Sequence, residues 1–335
     1  MFTRTLRIGA LLTSVSPLTL LLSPALASAP QWQLIWQDEF DGPHVDAARW
    51  SYEVNCWGGG NNERQCYTPN NATVENGVLH IEARKETYTG PVVHRDSPDY
   101  RLDNVRTQSY TSARLRTKHL GDWQYGRFEI RAKLPQGQGV WPAIWMLPSD
   151  SIYGPWAASG EIDIMEAVNL GTPSDAKDDG QGKPEVRVHG TLHYGGKAPD
   201  NVYTGTGYRL PDNASPADNF HVYAIEWQQG EIRWYVDDVH YATQTQATWY
   251  SEPTTAYKPG QDAPFDRPFH LILNLAFGGD WPEATNLNGV DPTALPATFS
   301  IDYVRVYRCS DPSDGGAACA QRSPHAKRVT EGPAN

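Results

Sequence analysis

The chain has 335 residues, with 28 Lys and Arg against 39 Asp and Glu, giving a formal net charge of −11. Such an acidic balance is poorly suited to nucleic acid or to sulfated galactans, whereas an uncharged ligand needs no charge complement. The length accommodates one large all-β domain.

The N-terminus carries Arg4 and Arg7, an apolar run over residues 8–22, and then Ala25-Leu26-Ala27-Ser28-Ala29. This is the pattern of a secretory signal peptide over residues 1–27, cleaved near Ala27. Ser14, Ser16 and Pro17 interrupt the run, which makes it too short and mixed to span a bilayer. Its removal takes away two arginines and no acids, so the formal charge becomes −13. The expected product is secreted, extracellular or periplasmic, and makes no membrane contact.

Cys56 and Cys66 flank a loop rich in glycine and asparagine, and Cys309 and Cys319 flank another near the C-terminus. In a secreted chain two local disulfides are the natural reading, although four cysteines admit three pairings. Zinc is disfavoured for these pairs because no histidine lies at ligand spacing from either. Each closed loop is expected to gain about 2–3 kcal/mol.

The body of the chain reads as strands. Phe128, Ile130, Ala132 and Leu134 alternate with Arg127, Glu129, Arg131 and Lys133. Ile232, Trp234 and Val236 alternate with Arg233, Tyr235 and Asp237, and Gln228-Gln229-Gly230 supplies a turn from the preceding strand. Phe269, Leu271, Leu273 and Leu275 continue the pattern. Many such strands, with abundant Gly and Pro, predict an all-β, two-sheet antiparallel sandwich. Residues 171–182 are polar and predict a mobile loop, and residues 311–335 predict a polar C-terminal tail. The remainder, 28–310, is expected to form one domain.

One segment departs from ordinary strand chemistry. Gly160-Glu161-Ile162-Asp163-Ile164-Met165-Glu166-Ala167 places three carboxylates on a stretch that otherwise reads as a buried strand. Alternation puts Glu161 and Asp163 on one face, and Ile162 and Ile164 on the other. Glu166 is out of phase with Glu161, and one extra residue at a β-bulge, expected at Met165, returns it to the acidic face. The two glutamates then lie about 6–7 Å apart along the strand. Side chains leaning inward bring their carboxyls near the ~5–5.5 Å of a retaining glycosidase. The alternative is a solvated acidic face on an edge strand, against which stand the aliphatic alternate positions and tryptophan-rich flanks.

Those flanks are Trp141-Pro142-Ala143-Ile144-Trp145-Met146-Leu147-Pro148 and His189-Gly190-Thr191-Leu192-His193-Tyr194-Gly195-Gly196. Together with the acidic motif they resemble glycoside hydrolase family 16. The resemblance runs in consistent order from Trp36-Gln37-Asp38-Glu39-Phe40 through Gly60-Asn61-Asn62-Glu63, Ser112-Ala113-Arg114-Leu115 and Asn274-Leu275-Ala276-Phe277-Gly278-Gly279 to Asp302-Tyr303-Val304-Arg305-Val306-Tyr307. The form with the inserted residue looks like the laminarinase branch, which cleaves internal β-1,3-glucan bonds.

The resemblance implies a β-jelly roll with an open concave cleft over a single catalytic domain, and a neutral β-glucan substrate. Glu161 is then the candidate nucleophile, Glu166 the acid and later base, and Asp163 a supporting group. Trp141 and Trp145, four apart on one strand, face the cleft, where an aromatic ring matches the apolar face of a glucose ring; core packing is their alternative role. His193, Asn61 and Arg114 match cleft positions. Their alternatives are a structural histidine, a turn former and a salt-bridge partner. No cofactor is implied for catalysis. Glu39, the Gly77 carbonyl and Asp302 match positions that hold a structural calcium in many bacterial members. A monomer is expected. Other polymers, such as mixed-linkage glucan, transfer to a sugar in place of water, and a non-catalytic glucan-binding protein on the same fold are the competing functions. Both glutamates are present, which argues against the last.

Overall fold

The computed structural model describes residues 1–2, 29–178, 180–311, 313 and 315–330. Nearly all of the expected signal peptide lies outside these residues. Among the described residues no helix is long and apolar enough to cross a membrane.

Two large sheets pack face to face. The cleft sheet runs, in spatial order, through Asn201–Tyr208, Val188–Gly195, Glu161–Glu166, Val140–Pro148, Phe269–Phe277, Arg114–Arg116 and Ser51–Tyr52. The outer sheet runs through Lys327–Arg328, Val239–Thr245, Glu231–Val236, His221–Gln228, Gly126–Lys133, Ala297–Cys309, Val78–Ala83 and Ala72–Glu75, and Trp32–Asp38 also pairs with Ala297–Cys309. Within these sheets every pairing but that of Lys327–Arg328 is antiparallel. The fold is the expected jelly roll.

Alternation explains the core. Phe128, Ile130, Ala132, Ile232, Trp234 and Val236 from the outer sheet meet Ile144, Met146, Ile162, Ile164, Leu271, Leu273 and Leu275 from the cleft sheet, and all are buried. Burying each large aliphatic or aromatic side chain contributes about 1.5–3 kcal/mol. Both local disulfides form, Cys56–Cys66 and Cys309–Cys319.

Two expectations are corrected. The loop 171–182 is tied down rather than loose. Pro173 bridges to Pro184, Ser174 donates to Glu185 at 2.7 Å, and Arg209 pairs with Asp178 at 2.7 Å. The C-terminal stretch is likewise no free tail, because Lys327–Arg328 adds a parallel strand to Val239–Thr245, and Val329 is buried.

The reason lies on the outer face, where simple alternation fails. Arg233 and Glu226 are completely buried and ion-paired at 3.0 Å, although their strand positions face away from the core. The C-terminal stretch is their cover. The Gln321 N–H donates to Glu226 at 3.1 Å, and the Ser323 N–H donates to His240 at 2.9 Å. A buried pair keeps its value only while its remaining hydrogen bonds are satisfied. A chain ended after Ala320 is therefore expected to lose about 2 kcal/mol, or roughly 3 °C in thermal unfolding. An unchanged melting temperature would show that the C-terminal stretch is incidental.

Candidate active site

The strand Glu161–Glu166 carries the bulge, one residue earlier than expected on the Val140–Pro148 side. There Ala143 faces Glu166, Ile144 faces Met165, and Trp145 faces Asp163, which leaves Ile164 without a partner. Towards Val188–Gly195, Asp163 faces Thr191 and Glu166 faces His189, so Ile164 and Met165 together oppose Gly190. Both bulged side chains enter the core, at 2% and 1% exposure, and the three carboxylates share the cleft face.

The kink is anchored from behind. Trp234, on the opposite sheet, donates its indole N–H to the Asp163 carbonyl at 2.8 Å. Gly190 makes room for it, since a Cβ there would lie 2.5 Å from the Trp234 ring. Breaking the ladder leaves a backbone acceptor that needs a partner, and the core tryptophan supplies it.

Each glutamate receives one tryptophan N–H. Trp156 donates to Glu161 Oε2 at 2.7 Å, and Trp141 donates to Glu166 Oε1 at 3.0 Å. His193 Nε2 sits 3.7 Å from Glu161 Oε1 and 3.4 Å from Asp163 Oδ2. Its ring lies between Trp156 and Tyr203, at 5.6 Å from each.

Burial drives the electrostatics. It pushes Glu161 up to about 8, helped by the neighbouring Asp163 charge and opposed by His193 and the Trp156 N–H. Burial likewise pushes Glu166 up to about 7, with Glu161 adding to it and His193 and Trp141 opposing. Asp163 is driven well above its ordinary range, by burial first and then by Glu166. Taken singly, the two glutamates stand in the reverse order to a nucleophile and an acid. Asp163 links the two: it shares a hydrogen bond with Glu161 that raises Glu161, and is itself raised by burial and by Glu166. Protons on such a buried set belong to the three acids together, so the roles of nucleophile and acid follow from the protonation of the set as a whole. His189, opposite Glu166, is pushed down to about 4 by burial and by Arg187, so it stands neutral near pH 7.

Trp145 donates to Asn274 Oδ1 at 2.6 Å, and the Arg114 guanidinium lies 4.6 Å from its ring centre. Arg114 is buried and paired with Glu53 at 3.1 Å. Asn274 in turn donates to the Tyr67 hydroxyl at 3.1 Å, and Tyr67 donates to buried Glu63 at 3.0 Å. Asn61 donates to the same carboxylate at 3.3 Å, while its carbonyl accepts from the Asp280 N–H at 2.7 Å. The disulfide-closed loop and the short helix Asp280–Ala284 thus form one wall of the cleft. On that wall Trp281 meets Trp141 edge-on at 5.6 Å and His189 at 5.1 Å.

The sequence-derived residues Glu161, Asp163, Glu166, Trp141, Trp145 and His193 therefore converge, with Arg114 behind Trp145 and Asn61 in the wall. Sequence reasoning missed Asn274, Glu63, Tyr67, Tyr203 and Trp281, and Trp156 was not among the expected site residues. Asn274 had a signal, being the lone amide in a strand that is otherwise apolar after His270. Trp281 and Tyr203 had none.

The set proposed for calcium does not fit as placed. Arg305 holds both oxygens of Glu39, at 2.7 and 2.8 Å, and Arg131 holds Asp302. Both carboxylates are thus already paired with an arginine.

Residues 59–304 match the model for glycosyl hydrolases family 16. The chain belongs to this family. It is 42% identical over 318 residues to a beta-glucanase of Rhodothermus marinus, covering 90% of this chain and 94% of that one. It is 41% identical over 295 residues to glucan endo-1,3-beta-glucosidase A1 of Niallia circulans, covering 85% of this chain but 39% of that longer protein. The X-ray structure of the Rhodothermus marinus laminarinase superposes with a TM-score of 0.63 at 42% identity, over 84% of this chain and 99% of that one. The family 16 chain is a glycoside hydrolase.

The raised Glu161 carboxyl has a consequence for stability. The folded state holds a proton that the unfolded chain releases above about pH 4.3. Stability from this group is full below that point and falls as pH rises towards 8. Glu161→Gln lacks this one contribution while Glu166 and Asp163 keep theirs, so its melting temperature is expected to gain on wild type by several degrees between pH 4.5 and 8. A constant difference across that range would show that Glu161 is ordinarily ionised in the fold.

Proposed function

We propose that the protein is a secreted, monomeric, retaining endo-β-1,3-glucanase acting on laminarin-type glucans. The observation that carries the reading is the pair of glutamates on one bulged strand, each fixed by a tryptophan N–H, with Asp163 between them. The relatives named as endo-1,3-beta-glucosidase and laminarinase support the choice of linkage. The two disulfides and the N-terminal pattern support secretion.

In the first step Glu166, protonated, gives its proton to the leaving glycosidic oxygen while Glu161 attacks the anomeric carbon. This forms a covalent glycosyl-enzyme. As Glu161 becomes esterified its charge is lost, so the electrostatic reason for Glu166 to stay protonated weakens. Glu166 then deprotonates a water that releases the sugar, and recovers its proton. Trp141 and Trp145, on the floor beside the carboxylates, offer apolar faces to glucose rings. An uncharged polymer requires no charged binding surface and is held by stacking and by hydroxyl hydrogen bonds.

The test is reducing-end release and product sizes on laminarin, barley mixed-linkage glucan and agarose. Wild type is expected to convert laminarin to short oligosaccharides, and Glu161→Gln and Glu166→Gln to lose at least about a thousandfold in kcat/KM. Silence of wild type on all three polymers, with laminarin binding retained, would overturn the enzymatic reading.

A further inference from the structure

We propose that Glu161, Asp163 and His193 form a zinc-binding site, through which a divalent zinc ion captures the catalytic carboxylates and blocks the cleft. This goes beyond the hydrolase reading, since the site is defined by donor geometry and not by sugar chemistry.

Three donors converge: Glu161 Oε1, Asp163 Oδ2 and His193 Nε2 all lie within 4.8 Å of one another. The two nitrogen–oxygen separations are 3.7 and 3.4 Å. A tetrahedral zinc with bonds of about 2.0–2.1 Å has ligand atoms about 3.3–3.4 Å apart, so small side-chain shifts suffice to seat the ion. The mixed imidazole and carboxylate set suits zinc, while calcium and magnesium favour six or more oxygens.

A second, independent feature is the state of the donors. Asp163 is 1% exposed, and its Oδ2 is buried without a hydrogen-bond partner, on the side that faces His193. A buried carboxylate oxygen with no donor is costly, and it is the atom a cation would relieve. The remaining atoms are held in place. Trp156 occupies Glu161 Oε2, which leaves Oε1 towards His193, and Trp234 fixes the Asp163 backbone. The flanking Trp156 and Tyr203 rings set the imidazole plane. Oriented partners of this kind are what raise a ligand set above adventitious binding. His193 Nδ1 has no hydrogen-bond partner among the described residues, so the imidazole lacks the bond that usually orients a zinc-ligating histidine, and exchangeable binding is expected.

The ion needs no redox partner or co-reactant. Coordination occupies the nucleophile, and the fourth position faces the cleft, where water completes the tetrahedron. Zinc and the sugar ring are then mutually exclusive.

The experiment is calorimetric titration of zinc chloride into full-length mature Glu166→Gln, which retains all three donors but does not consume substrate. One zinc per chain is expected, displaced by a saturating laminari-oligosaccharide and not by millimolar calcium or magnesium. His193→Ala in the same background is expected to weaken binding at least about tenfold. Should that variant fold poorly, Asp163→Asn removes a different donor and is expected to do the same. Unchanged zinc affinity in the folded variants, or equal displacement by calcium, would overturn the proposal. Titrating the oligosaccharide alone separates the two readings. If it does not bind, the glucan reading fails, while the donor variants still decide the zinc site.

Discussion

The active-site face depends on one backbone irregularity, the extra residue in the strand Glu161–Glu166. A regular strand of this sequence would send Glu166 into the core beside Ile162 and Ile164, at a cost of several kcal/mol for a buried, unpaired carboxylate. The bulge instead places Ile164 and Met165 in the core and turns Glu166 to the cleft. It frees a carbonyl, which Trp234 satisfies across the sandwich, and Gly190 gives that indole its space. A catalytic pair on one surface and a tryptophan in the opposite sheet are thus two ends of a single accommodation.

Given that face, the electrostatics follow from dryness. Three acids within one strand, largely shielded from water, hold protons that free carboxylates would shed. Among the described residues no lysine or arginine forms an ion pair with these acids. The fold supplies N–H donors, one per glutamate, and a histidine placed between Glu161 and Asp163. These donors favour the anion without permanently pairing it. That is what a group needs if it is to alternate between free carboxylate, ester and acid. The cost in stability is of the kind that active sites commonly carry.

Much of this was legible in the sequence because side-chain period and chemistry conflicted in one place. Alternation identified the core faces of the strands around Phe128, Trp234 and Leu271, and the phase error at Glu166 required a bulge. The exact residue was not legible, since Ile164 and Met165 are both apolar and either can be the extra one. Alternation failed on the outer sheet at Arg233 and Tyr235, which are buried by a C-terminal stretch whose polar composition reads as a tail. Long-range cover of this sort has no local signal. Nor has the placement of Trp281 against Trp141, or of Tyr203 against His193, because turns and an edge strand deliver them from positions distant in the chain. At the residues expected to hold calcium, Glu39 and Asp302 are each engaged by an arginine, Arg305 and Arg131, and that pairing too has no local signal.

The division of labour between Glu161 and Glu166 is the central claim, and trapping the covalent intermediate tests it most directly. A 2-deoxy-2-fluoro β-1,3-linked glucosyl fluoride slows both steps but lets the first proceed, so the labelled enzyme can be digested and the modified residue located by mass spectrometry. A single sugar adduct on Glu161 is the predicted result. An adduct on Glu166 or Asp163 would contradict the assignment, and complete absence of an adduct on an enzyme that hydrolyses laminarin would contradict the covalent mechanism itself.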